Sequence, residues 1–188
     1  MINKITEIFN IISFGKPAEA APVSLQRAVE IFDRLADMKD ITFGFSDEGC
    51  YARAHIMCRR LIKMGVTPMK AWALPKRGGT LVVNYPERGI GWRFHTAPAI
   101  AVTMPNGIVQ TMVMDPGLFD GPASLALWGK VMRAPAGDVQ VVPFGAAPRG
   151  GHGDTYVPGR KITFFPGLRA RALMLWYQIG RASCRERV

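Results

Sequence analysis

The sequence is short of cysteine, of acidic residues and of long apolar runs, and each shortage closes off a class of protein. Three cysteines in 188 residues exclude a disulfide scaffold. Cys50 and Cys58 fall in one expected helix, where a rise of about 12 Å separates them and no disulfide can bridge them. At most one bridge, through Cys184, is left open. No apolar stretch approaches the roughly 18 residues of a membrane span. The N-terminal patch Ile8–Phe14 is interrupted by Asn10 and Ser13 and follows Glu7, which makes a poor signal-peptide core. No internal repeat is visible.

The 14 Asp+Glu are outnumbered by 24 Lys+Arg, for a net charge of +10. That excess is spread evenly, at 14 basic and 9 acidic side chains in residues 1–100 and 10 and 5 in residues 101–188. A nucleic-acid binder concentrates its charge on one helix, arm or stripe, so no nucleic-acid partner is expected. No Cys/His cluster has metal-ligand spacing. Arg77-Gly78-Gly79 and Arg149-Gly150-Gly151 lack the strand–helix setting and following Lys-Ser/Thr of a phosphate loop. Neither a metal nor an organic cofactor is therefore expected. What is present, 48% hydrophobic and 20% charged residues, suffices for one packed domain.

Residues 1–23 read as a leader or linker, and 24–180 as the domain. Ser24 can cap a helix to about Met38 whose apolar face is Leu25, Ala28, Val29, Phe32 and Leu35. A polar loop, Phe43–Gly49, leads into a second helix over Cys50–Met64, with Gly65 as its C-cap. Strands are expected at Lys70–Leu74, Thr80–Tyr85, Arg93–Thr103 and Ile108–Met114, the last two forming a hairpin about Met104-Pro105-Asn106-Gly107. A helix opens at Asp120-Gly121-Pro122 and runs to Met132. Short strands at Val139–Val142 and Lys161–Phe165 flank a Gly/Pro-rich loop, and a last helix covers Leu168–Ile179. Helices interleave with antiparallel pairs without a βαβ rhythm, so the class is α+β. Residues 181–188 follow Gly180 with no apolar period and read as a non-native or disordered tail.

Cys50 opens its helix in line with the apolar stripe Ala54, Met57, Leu61 and Met64. There the unpaired backbone N–H groups and helix dipole favour a thiolate and can stabilise an oxyanion. A nucleophilic cysteine needs a base, and the base an orienting group. His55 lies five residues along the same helix and faces elsewhere, a structural or surface position, and His152 sits in the Gly-rich loop. His95 stands on the hairpin. With the turn centred on Pro105–Asn106, cross-strand partners sum to about 211, which sets His95 opposite Pro116 and, within one or two residues of register, within reach of Asp115. Asp115-Pro116 equally suits an ordinary turn, and Cys50 equally suits a core position.

The segment Ser46-Asp47-Glu48-Gly49-Cys50-Tyr51-Ala52-Arg53-Ala54-His55 resembles the nucleophile segment of the bacterial protein-glutaminases, protein-glutamine deamidases with a Cys-His-Asp triad related to that of transglutaminases and papain-like enzymes. Gly91-Trp92-Arg93-Phe94-His95 resembles that family's Trp-x-x-His segment, and Met114-Asp115-Pro116-Gly117-Leu118-Phe119 its Asp-Pro-x-Leu-Phe segment. The similarity covers about Phe43–Met132. It implies a papain/transglutaminase-like core and Cys50, His95 and Asp115 as nucleophile, base and orienting acid. It also implies protein or peptide substrates with accessible glutamine, and secretion or delivery as an effector. Trp92, beside His95, either walls the glutamine pocket or fills the core. The chain departs from the family in Thr96-Ala97-Pro98 after the histidine, where proline implies an edge strand or a bulge, and in lacking the disulfide cysteines of extracellular members. A transglutaminase or cysteine protease would use the same triad, and an inactive basic interaction domain would keep the fold without the chemistry.

Overall fold

Ser24 acts as the N-cap its position calls for. Its hydroxyl accepts from the Arg27 backbone N–H at 3.2 Å and starts α1 (Leu25–Ala36). In this computed structural model the described residues are 21–44, 48–75, 79–85, 88–134, 138–148, 156 and 164–185. The remaining leader, His152, the strand proposed at Lys161–Phe165 except its last two residues, and most of both Arg-Gly-Gly strings lie outside them. The buried face of α1 is Ala28, Ile31, Phe32 and Leu35. Ile31 takes the place expected for Val29, which is exposed. Full burial of Ile31, Phe32 and Leu35 contributes about 1.5–3 kcal/mol each.

The elements follow as β1 (Val23–Ser24), α1, α2 (Cys50–Lys63), β2 (Met69–Ala73), β3 (Leu81–Tyr85), β4 (Arg88–Trp92), β5 (His95–Thr103), β6 (Val109–Val113), β7 (Ala123–Ser124), α3 (Leu125–Val131), β8 (Val139–Pro143) and α4 (Pro166–Arg185). The main sheet runs β7-β6-β5-β2-β8, with β1 pairing parallel to the end of β5. Its other pairings are antiparallel. The fold is α+β, as the sequence implies. Val23, read from the sequence as the last residue of the leader or linker, pairs with Val102. The expected strand Arg93–Thr103 starts only at His95, and Arg88–Trp92, not expected as a strand, pairs with β3 as a separate hairpin. The helix expected from Asp120 starts only at Leu125, where the Ser124 hydroxyl caps it.

Side-chain alternation along β5 and β6 builds two cores. Ile100, Val102, Met112 and Met114 face α1, α2 and α4. Ala97, Ala99 and Val113 face the other way, onto Trp92, Trp128 and Met132 of the β3–β4 hairpin and α3. Pro98 lies in β5, the most paired strand, and neither at a free edge nor at a bulge. Its missing N–H is tolerated because the β5–β6 ladder ends at Ala99–Val113. On that side only the Pro98 carbonyl is used, accepting from the Met114 N–H at 2.8 Å.

Helix α4 runs through Gly180 to Arg185, past the point where it was expected to stop and into the segment expected to be structureless. A glycine inside a helix costs about 1 kcal/mol relative to alanine, and Arg and Ala beyond it are good helix formers. The inner face of α4 is Ala170, Met174 and Tyr177, while Leu168, Leu175 and Trp176 are exposed. Among the described residues no helix is long and apolar enough to cross a membrane.

Candidate active site

Helix α2 begins abruptly. Gly49 is its N-cap in the left-handed region (φ 85°) and makes no side-chain capping bond. A Cβ on Gly49 would stand 2.8 Å from Tyr177 Cε2, so both the backbone angle and the closeness of α4 require glycine. The Ala52 and Arg53 N–H groups bond the Gly49 carbonyl and close the first turn. Cys50 is the first residue of this turn and is partly exposed.

His95 opens β5 and pairs with Ala73 of β2. Its Nε2 donates to Asp115 Oδ2 at 2.7 Å, with His95 4% and Asp115 6% exposed. The ladder does not make this contact in the way the sequence suggests. The hairpin loop is Pro105-Asn106-Gly107, with Met104 N–H bonding the Ile108 carbonyl and Gly107 at φ 81°. It holds one residue more than a two-residue turn, so the pairs are Ala99–Val113 and Thr103–Val109, a sum of 212 instead of 211. A shift of one residue exchanges the faces of a strand, and the observed register puts residue 115 on the face that holds residues 95, 97 and 99. Beyond Val113 the chain turns, with the Asp115 carbonyl accepting from the Leu118 and Phe119 N–H groups, and this turn brings the carboxylate to the imidazole.

The second ring nitrogen, Nδ1, is buried and makes no well-aligned hydrogen bond. It is the one left for the Cys50 thiol, which interacts with the ring. Such bonds are commonly long in a resting site and tighten with substrate. Burial pushes the Cys50 thiol up. The His95 hydrogen bond and charge, the Arg53 charge and the Thr96 backbone N–H outweigh it and bring the pKa below the ordinary value. Burial disfavours charge on His95 as well, but the Asp115 carboxylate overcomes it and, with Cys50, pushes the imidazole up to about 9. For Asp115, burial is overcome by His95, the Trp128 hydrogen bond and Arg53, and the carboxyl is held below its usual range. The three groups favour a thiolate, an imidazolium and a carboxylate together.

Trp92 stacks on His95, with ring centroids 4.6 Å apart and planes at 16°. Trp128 lies tilted against the ring at 5.6 Å and donates from Nε1 to Asp115 Oδ2 at 2.9 Å. Arg53, one turn after Cys50, donates from Nη1 to the Glu48 carbonyl at 3.0 Å and tethers the segment before the nucleophile. A narrow cavity beside the pair is lined by Phe43, Arg53, Trp92, His95, Asp115, Gly117 and Leu118. Trp92 therefore lines a cavity and packs on the histidine at once. Neither Trp128 nor Arg53 stands out as a site residue in the sequence, although Arg53, at i+3 from Cys50, shares its helix face.

A sequence profile of the Gln_deamidase_2 family, described as glutaminase, matches residues 28–132, more than half of the chain. The chain belongs to this glutaminase family. No curated protein matches it. Its fold is that of solved protein-glutaminases, with the papain/transglutaminase-like core. The NMR structure of protein-glutaminase from Chryseobacterium proteolyticum superposes at TM-score 0.68 and 18% identity, over 84% of this chain and 89% of that one. A crystal structure of protein-glutaminase gives 0.64 at 18% identity, over 82% and 87%. A mutant pro-protein-glutaminase gives 0.58 at 22% identity over 69% of this chain, and the chain spans about half of that protein's length (51%).

The other sulfur and imidazole of α2 have different surroundings. Cys58 is buried, directs its thiol to the Met69 carbonyl at 3.8 Å, and is pushed up to about 12 by burial. His55 is 6% exposed, and burial with the Lys70 and Arg59 charges lowers it to about 4. It is a core histidine and not a surface one. The unfolded chain protonates this histidine near pH 6.5 and the folded chain only near 4, so its contribution to stability falls as pH drops through that window. Iodoacetamide at pH 7 is expected to modify Cys50 at least about 100-fold faster than Cys58, since the thiolate is the reacting form. Peptide mapping of a timed reaction reads the ratio, and comparable rates would remove Cys50 as an activated thiol.

Proposed function

We propose that the chain hydrolyses the side-chain amide of glutamine in proteins or peptides, giving glutamate and ammonia through a cysteine thioester. The observation that carries this reading is the buried His95–Asp115 pair meeting Cys50 at a helix N-terminus, in a chain of the glutaminase family. The Cys50 thiolate attacks the carboxamide carbon, and the oxyanion that forms is stabilised at the N-terminus of α2, where the Cys50 backbone N–H and the helix dipole point toward it. The His95 imidazolium gives its proton to the departing nitrogen, which leaves as ammonia, and the thioester remains on Cys50. His95, now neutral, takes a proton from water as the oxygen attacks the thioester, and glutamate and the thiolate are released. Asp115 keeps the proton on Nε2, so that Nδ1 stays the working nitrogen. Trp92 steadies the imidazolium from one face, a cation–π contact worth about 2 kcal/mol when desolvated.

The test is intact-mass analysis of a glutamine-rich protein after incubation, together with an ammonia assay. Each conversion adds about one dalton, because an amide NH2 is replaced by OH with the chain otherwise unchanged. New termini would point to peptide-bond cleavage, and cross-linked species to an amine acceptor. Either without ammonia-linked mass gain overturns the deamidase reading.

A further inference from the structure

The carboxylate of Asp115 is held by a residue that its role in the reaction does not itself require. Oδ2 accepts from His95 Nε2 at 2.7 Å and from Trp128 Nε1 at 2.9 Å. Trp128 is fully buried and Asp115 6% exposed. A carboxylate oxygen has two lone pairs in its plane, and two donors from different elements, β5 and α3, occupy this one. An indole N–H can only donate, so it favours an Oδ2 that carries no proton. The other oxygen, Oδ1, faces Gly117, where an added Cβ would stand 3.4 Å away. The Asp115 backbone is pinned by its carbonyl, which accepts from Leu118 and Phe119.

We propose that Trp128 is a positioning residue of this site: its indole N–H fixes which oxygen of Asp115 meets His95 and keeps that carboxylate ionised, so that the imidazole presents Nδ1 to Cys50. Trp128 touches no reacting atom and acts through Asp115. Ser124 sets where it stands, by capping α3 four residues earlier, and the burial of Met132 beside it keeps α3 against the sheet. The charged and titratable groups acting on the pair are Cys50 and Arg53, both from α2. The indoles of Trp92 and Trp128, which face it from β4 and α3, do not titrate. Without the indole N–H, the carboxylate loses a donor that favours its charged form and takes up a proton at a higher pH.

The inference rests on the deamidase reading for its activity readout, and thiol alkylation supplies a readout that does not. The decisive variant carries β-(3-benzothienyl)alanine at position 128, which keeps the bicyclic shape and replaces N–H by sulfur. Trp128→Phe is the simpler companion. Expected for both is a fall in kcat of about tenfold with KM nearly unchanged. The acid limbs of the kcat/KM profile and of Cys50 alkylation by iodoacetamide should both move to higher pH. Wild-type kcat and unmoved acid limbs in the benzothienyl variant would overturn the proposal and leave Trp128 as a packing residue. If Trp128→Phe fails to fold, the benzothienyl variant still decides. If the wild type releases no ammonia from glutamine, the deamidase reading fails, and the alkylation profiles still report on Trp128.

Discussion

Cys50→Ser is expected to abolish ammonia release from protein-bound glutamine, by at least about 1,000-fold in kcat/KM, as for loss of a nucleophile from a unit that acts together. The swap is nearly isosteric, and it falls at the first residue of α2, where the side chain is partly exposed and the stripe below it is unaltered. Folding and melting temperature should stay close to wild type. What disappears is the thiolate. His95, Arg53 and the Thr96 N–H lower a thiol pKa that already lies near 9, but a hydroxyl is far less acidic, so attack would need full proton removal in the transition state. The measurement is ammonia release at saturating substrate, with circular dichroism as the control for fold. Retention of more than a few per cent of activity would remove Cys50 as the nucleophile.

Asp115→Asn is expected to lower kcat by two to three orders of magnitude, on the order of 100- to 1,000-fold, with KM little changed. An amide oxygen can still accept from His95 and Trp128, so the hairpin and the turn at 115–119 should persist. The lost element is charge. The Asp115 carboxylate is the main influence opposing the burial that depresses His95, which with Cys50 rises to about 9, and without Asp115 only Cys50 is left to oppose burial at the imidazole. The imidazolium is then scarce at neutral pH, and Cys50 loses the partner that lowers its own pKa. The alkaline limb of activity, expected near pH 9 in the wild type, should move down by a unit or more, about the scale set by a neighbouring charge. The sign for stability follows as well. The folded-state His95 pKa is above 6.5, so its pairing contributes fully below pH 6.5 and is lost as pH rises through about 9. Asp115 lies below its ordinary 3.8, so its share is lost only as pH falls below that range. An unchanged alkaline limb in Asp115→Asn would show that Asp115 does not set the basicity of His95. His55→Ala serves as the control, expected to lower melting temperature and spare kcat, because His55 is a core residue away from the pair.

Much of this molecule was legible in one dimension because the signals are local. A cap followed by a 3.6-residue apolar period defines α1, and Gly before Cys50 at the head of another such period defines the start of α2. Three ordered segments around Cys50, His95 and Asp115 resemble one family, and chain order survives folding. Val29 and the boundaries of α3 and α4 were misread for an equally local reason. Periodicity reports that a face exists, but not how wide the neighbouring element makes it.

What only the tertiary structure decided is whether those residues meet, and with which companions. One extra residue in the Pro105–Gly107 loop moves the register from 211 to 212, and with it Asp115 to the face of His95. No local signal records that, because a two-residue turn and a three-residue turn with a left-handed glycine are written in nearly the same letters. Pro98 sits in the most paired strand because β6 ends beside it, a fact about the neighbour and not about Pro98. Trp128 reaches Asp115 across 13 residues and Arg53 reaches back to Glu48 only once α3 and α2 have docked on opposite faces of the sheet. The sequence determined which groups are available for the chemistry. Register and docking, which are non-local, determined their distances, burial and charge state.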